Sequence, residues 1–186
     1  MEPIVPVELQ VAGLRLRPWR PDDITAVWAA FQDPDIRLWN GGGVRSREDA
    51  LVLLGRRIDW SSGDHASWAV VDGGDVVLAS VSLHSIDRFQ NDAEIGYWTA
   101  PAARGRGVAA VAVDAVCRWG SGTLPIDRIE LCHAVENTAS GRVAEKSGFT
   151  FEGRLRRSYR YGDGVKHDEL LWARLVDDPA PAPGGS

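Results

Sequence analysis

Residues 101–120 read PAARGRGVAAVAVDAVCRWG, a turn of small residues carrying Arg104 and Arg106 that runs straight into an apolar helical stretch. A helix start leaves backbone amides without partners, and Gly105 and Gly107 let a ligand come close to them, so the stretch reads as an anion site. Three strand-like runs precede it, at 67–71, 76–86 and 93–99. The first two flank Asp72-Gly-Gly-Asp75, a link with hairpin chemistry. After the helix of residues 107–120 come a strand at 128–136, a short helix from Thr138 that stops at Gly148, and strands near 149–155 and 169–175. Upstream, residues 14–17 alternate apolar and basic side chains as a half-buried strand does. Pro21, Asp22 and Asp23 suit a first helical turn, and Ile24, Val27, Trp28 and Phe31 follow at helical spacing until Asp33-Pro34 breaks the pattern. Ser46 caps a second helix with a stripe of Leu51, Leu54 and Ile58. The order β-α-α-β-β-β-α-β-α-β-β predicts an α/β (α+β) fold, a mixed sheet with helices against it.

With 186 residues, 44% of them hydrophobic and 25% charged, the chain has the size and composition of one globular domain. Residues 1–176 are read as that domain, and 177–186 (DDPAPAPGGS) as a disordered tail. A net charge of −5 disfavours a general nucleic-acid or anionic-membrane binder and points weakly toward cationic partners such as amines. The amino terminus lacks the basic patch and apolar core of a signal peptide, and no apolar run reaches membrane-spanning length. Cys117 and Cys132 fall in apolar stretches and are expected to be reduced core thiols, so the expected location is the cytoplasm.

Three templates compete for the glycine turn. A P-loop needs lysine and a hydroxyl residue after its last glycine, and neither is present. Gly105-x-Gly107-x-x-Ala110 matches a dinucleotide fingerprint in letters, but residues 99–104 separate it from the preceding strand, and no acidic residue ends the next strand at the required distance. Arg104-Gly-Arg-Gly107-Val-Ala109 resembles the Gln/Arg-x-x-Gly-x-Gly/Ala signature of the GCN5-related N-acetyltransferases, the GNAT family. Flanking stretches resemble it too: Ala93-Glu-Ile-Gly-Tyr-Trp98, Glu136-Asn-Thr-Ala-Ser140, Lys146-Ser-Gly-Phe149, Glu152-Gly153, Tyr161-Gly-Asp163 and His167-Asp168, in that order. Together they are most similar to the branch that acetylates ribosomal-protein amino termini and its small-molecule-modifying relatives.

The resemblance spans about residues 14–175 and implies a central mixed, mostly antiparallel sheet flanked by helices. It also implies acetyl-CoA as co-substrate, with Arg104, Gly105, Arg106, Gly107, Val108 and Ala109 at its pyrophosphate. Arg104 and Arg106 add charge-assisted bonds to the amide cradle, or are solvated loop arginines. Glu94 shares a strand face with Gly96 and Trp98 by period two, which suits a proton acceptor at a cleft or a rim carboxylate with a structural partner. The resemblance favours the former, and the carboxylate that other members place after Glu152-Gly153 is missing from residues 154–161.

Asn137 is a good N-cap, and Ser140, three positions on, leaves a hydroxyl on the first turn. The resemblance sets Asn137 and Ser140 at the coenzyme, with Ser140 giving a proton to the departing sulfur. It also brings Tyr159, Tyr161, Asp163, His167 and Asp168 near the acceptor, where a solvated hairpin is the alternative for most of them. Trp39, between Asp33-Pro34 and the run Gly41-Gly-Gly43, is expected in a loop that closes over substrate. His133 shares the parity of Ile129 and Leu131 and reads as a core histidine, while His65 and His84 lack partners at metal-ligand spacing, so no metal is expected. The function read from the chain is acetyl transfer from acetyl-CoA to a primary amine by direct attack in a ternary complex. A non-catalytic coenzyme A-binding module on the same fold is the alternative. Expected partners are a small-molecule or peptide amine and a second copy of the chain, with no nucleic acid and no membrane.

Overall fold

Ala12 and Gly13 both take positive φ, 47° and 77°, as the tightest hairpin turns require, and they join β1 (Leu9–Val11) to β2 (Leu14–Pro18). Without an Asn-Gly or Asp-Gly signal, β1 is absent from the order read in the sequence. The computed structural model describes residues 2–40 and 43–181. Gly41 and Gly42 of the expected acceptor loop, and residues 182–186 of the expected tail, lie outside the described residues.

A 3-10 turn at Pro21–Asp23 leads into α1 (Ile24–Ala30). Asp33-Pro34, read as a break, is instead the start of α2 (Pro34–Trp39): the Asp33 side chain accepts the Ile36 amide at 3.0 Å, and proline fills the first helical position. Trp39 therefore ends a helix, which corrects its expected place in a loop. Ser46 and Asp49 exchange bonds in a capping box that opens α3 (Arg47–Ile58).

Next come β3 (Ala66–Val71), β4 (Val77–Asp87), β5 (Asp92–Thr99), α4 (Val108–Thr123), β6 (Arg128–Ala134), α5 (Thr138–Lys146), β7 (Thr150–Arg160) and β8 (Lys166–Leu175). Among the described residues these strands form one eight-stranded sheet, ordered β1-β2-β3-β4-β5-β6-β8-β7. All pairs are antiparallel except β5 with β6. No helix among the described residues is long and apolar enough to cross a membrane.

Every residue of β3 is buried because the sheet is covered on both faces. Trp68 and Val70 pack with Val113 and Val116 of α4 and Ile129 and Leu131 of β6, while Ala69 and Val71 pack with Val27, Leu54 and Trp98 on the side of α1–α3. The parallel pair positions the site. β5 and β6 are in register only at Asp92↔Arg128, Ala93↔Ile129 and Glu94↔Glu130, although both strands run on. Beyond that point the sheet opens.

Candidate active site

A cavity of about 630 Å³ occupies the opening, lined by residues 95–99 of β5, Cys132 and His133 of β6, the turn before α4, the start of α5, and Trp39 and Tyr161. On one side, α4 starts at Gly107 with no side-chain cap and no acidic residue in its first turn. Its amides are therefore available to a ligand, and the positive end of a 16-residue helix faces the cavity. Gly105 and Gly107 sit at φ 74° and 75° with nothing within 4 Å of where a Cβ would stand. The left-handed backbone, rather than crowding, is what glycine supplies here.

Gly105, Gly107, Val108 and Ala109 all line the cavity. Arg104 lines it too, but its guanidinium is held by Asp33 at 2.5 Å and Asp35 at 3.2 Å, so its charge is already matched by the start of α2. Burial would raise the Asp33 carboxyl, yet the bonds from Arg104 and the Ile36 amide bring it below its ordinary value. Arg106 is exposed and lies outside the lining.

Asn137 caps α5, its Oδ1 accepting the Ser140 amide at 3.3 Å, and both residues line the cavity. Across from Ser140 stands Tyr97, whose buried hydroxyl finds no hydrogen-bond partner among the described residues. Burial pushes this phenol up to about 12, with the Ser140 hydroxyl pulling weakly the other way. The buried Tyr97 hydroxyl, with Ser140 as its polar neighbour, and the uncapped start of α4 line one cavity and give it polar groups that a phosphate-bearing thioester would complete.

The other side is aromatic. Trp39 meets Tyr161 edge-on at 5.5 Å and His167 at 5.9 Å, and Tyr159 leans on Tyr161 at 5.0 Å from outside the lining. The Tyr161 hydroxyl donates to Glu169 at 2.9 Å. Burial and the Glu169 carboxylate hold that phenol far above its usual range. His167 lies between Asp163 at 2.9 Å and Glu136 at 3.3 Å, and Asp168 accepts the Arg157 amide and the Arg154 guanidinium.

Two expectations are corrected. Glu94 does not itself line the cavity: its side chain is 52% exposed and lies 3.9 Å from His84, its cross-strand partner on β4, while Gly96 of the same face does line the cavity, so any action on the acceptor from Glu94 would run through water. Cys132 is not a core thiol. The parity that buries Ile129, Leu131 and His133 turns Cys132 to the open face, against the cavity, whereas Cys117 is buried as expected. His133 is a satisfied core histidine, its Nδ1 paired with the Ala134 carbonyl and its Nε2 accepting from Trp172.

A family model described as the acetyltransferase (GNAT) domain matches residues 13–150. The chain belongs to the GNAT family. Among relatives, Bacillus subtilis (strain 168) YdaF is 35% identical over 95 residues, 51% of each protein, so the match spans about half of its length. The ribosomal-protein-serine acetyltransferase of Escherichia coli (strain K12) is 26% identical over 134 residues, 72% of this chain and 74% of that protein. A solved structure of RimL, a ribosomal L7/L12 alpha-N-protein acetyltransferase in complex with coenzyme A, superimposes with a TM-score of 0.81 at 21% identity, over 92% of this chain and 99% of that one. At that identity the likeness is one of fold.

Within this GNAT chain the cavity is also lined by Tyr97, Glu136, Arg142 and Lys146, to which the sequence reading assigns no site role, although Tyr97, Glu136 and Lys146 fall in stretches that carry the resemblance. Arg142 and Lys146 had a usable signal. Thr138, Ala139, Arg142, Val143 and Lys146 recur at helical spacing, one stripe of α5 that now faces the cavity.

Proposed function

We propose that the chain transfers an acetyl group from acetyl-CoA to a primary amine, a protein amino terminus or a small molecule, by direct attack in a ternary complex. The observation that carries the reading is the uncapped start of α4, with its two left-handed glycines, opening on a cavity that continues to an aromatic wall. Coenzyme A bound to the structural neighbour RimL, and the ribosomal-protein acceptor in the name of the Escherichia coli relative, support it.

On this reading the amides from Gly105 to Ala109 take the pyrophosphate, with Arg142 and Lys146 adding charge from α5. Arg104 serves as a strut between this turn and α2, and Arg106 reaches in from solvent. Ser140, which lines the cavity, gives a proton to the departing sulfur on this reading. Because a free thiol has a pKa of about 8.5, that help is moderate rather than decisive. Trp39 and Tyr161, with Tyr159 behind, bound the acceptor side.

Thermal unfolding tests the donor. A ligand at a hundred times its dissociation constant adds about 2.7 kcal/mol, so acetyl-CoA should raise the melting temperature clearly while NAD should not. Gly107→Glu should abolish that response in a folded protein, since it places a side chain and a negative charge at the amides. A response to NAD alone, or undiminished acetyl-CoA binding in the variant, would refute the assignment. Turnover with a serine-starting peptide, spermidine and kanamycin then sorts the acceptor class.

A further inference from the structure

We infer that Glu169, acting through Tyr161, takes the proton of the acceptor amine, an inference that rests on the acetyl-transfer reading above. An aliphatic amine has a pKa of about 10.4 and is almost wholly protonated at neutral pH, so attack on a thioester requires a proton acceptor on the acceptor side of the cavity. Glu94 is outside the lining. Glu169 is 7% exposed and stands directly behind a residue of the wall, its Oε1 accepting from the Tyr161 hydroxyl at 2.9 Å.

Its other oxygen accepts from the Ser158 hydroxyl at 2.7 Å, and no cation lies within 4 Å of it among the described residues. A buried carboxylate held by neutral donors alone is costly, and the missing positive charge is the one an ammonium substrate brings. A break in the strand pairing supports the arrangement. β7 and β8 pair at Leu155↔Glu169 and again at Tyr159↔His167, so residues 156–158 bulge against Asp168. Arg157 takes φ 48° there, its amide bonded to Asp168, and Ser158 comes to lie against Glu169. Bulges of this kind concentrate beside active sites, where they re-aim side chains. The neighbouring groups are Cys132 on β6, whose thiol burial and the charges of Glu169, Glu130 and Glu94 push up to about 12, His133 on the same strand, which burial holds below its ordinary value against the pull of the Ala134 carbonyl and the Glu169 charge, and His167, packed against the Tyr161 ring at 5.5 Å.

The proton balance closes. One ammonium proton passes to Tyr161 Oη as the tyrosine's own proton passes to Glu169 Oε1, leaving a neutral amine and a neutral acid. The nitrogen lone pair forms the N–C bond, and the C–S bond then breaks with its electron pair going to sulfur. The second nitrogen proton reaches that sulfur by way of Ser140, and Glu169 releases its proton to water after the amide departs.

Steady-state kinetics of Glu169→Gln, Tyr161→Phe and Glu94→Gln, with the serine-starting peptide, spermidine and kanamycin, test this. Glu169→Gln keeps the shape and should lower kcat about 10²–10⁴-fold at neutral pH. The KM for acetyl-CoA and the thermal response to it should stay at the parent's values. Raising the pH toward the amine's own pKa should narrow the deficit, because the free amine then needs no base. Tyr161→Phe should move in the same direction. A kcat equal to the parent's across the pH range, a deficit that pH does not change, or a larger loss in Glu94→Gln would overturn the inference while leaving the acetyl-transfer reading in place. A parent inert toward all three amines would remove that reading and the inference together.

Discussion

His167 packs against the rings of Trp39 and Tyr161 with a carboxylate on each ring nitrogen, Asp163 at 2.9 Å and Glu136 at 3.3 Å. The bond to Asp163 raises its pKa most, desolvation opposes it, and the Glu136 bond adds to the rise. The sign follows from linkage. A histidine whose folded pKa lies above its unfolded value of about 6.5 stabilises the fold fully below that value and loses the contribution as pH rises through the folded pKa. The melting temperature should therefore drift down through this window in the parent, and His167→Gln should flatten the drift. Equal slopes for the two proteins would mean that the pairing carries no stability. In the sequence the residue was legible only as one member of a polar-aromatic cluster, because Glu136 comes from another element 31 residues away.

The hairpin of β7 and β8 is clamped to α2 by backbone. Gly162 donates to the Leu38 carbonyl at 2.9 Å, and a Cβ there would stand 2.1 Å from the Arg37 carbonyl oxygen and 3.1 Å from the Leu38 Cα. Neither neighbour is a side chain that can swing away. Gly162→Ala should force the tip off α2, costing roughly 1–3 kcal/mol in denaturant unfolding. It should also loosen the Trp39–Tyr161 contact, so that the acceptor KM rises more than that of acetyl-CoA. A variant with an unchanged unfolding midpoint and an unchanged acceptor KM would show that the clamp is dispensable. The sequence marks Gly162 as a turn residue and no more, since its partner, in direct contact in space, lies 124 residues back along the chain.

Across the whole molecule, Arg17 ties three elements together beneath the surface. At 2% exposure it forms a two-pronged pair with Asp23, both bonds 2.8 Å, and reaches Asp75 in the β3–β4 turn at 2.9 Å. Bonds from Asp23 and Asp75 raise its already high pKa further against the opposing effect of burial. Asp23 also accepts the Arg20 amide, so one carboxylate joins β2 to the start of α1. Asp23→Ala would leave the guanidinium without its main partner and should cost about 3–5 kcal/mol, read from the urea midpoint at constant slope. A loss below about 1 kcal/mol, the range of surface pairs, would show that solvent reaches the arginine after all.

Local chemistry decided much of this protein in advance. The Ser46 cap, the Asn137 cap and the glycine turn before α4 are each settled within a few residues, and β3 to β5 show in their runs of strand-forming residue types, so these can be read along the chain. β1 and α2 escaped because a three-residue strand and a six-residue helix carry too few periods to register, and each persists by packing on elements that were visible. Where side chains end up was decided in three dimensions. Period two places Glu94 on a face, but only the break in pairing after Glu94↔Glu130 determines which residues of that face meet the cavity. Tyr161, Glu169 and Ser158 come together only when β7 bulges against β8, because hydrogen bonds between strands, not neighbours in sequence, set that distance.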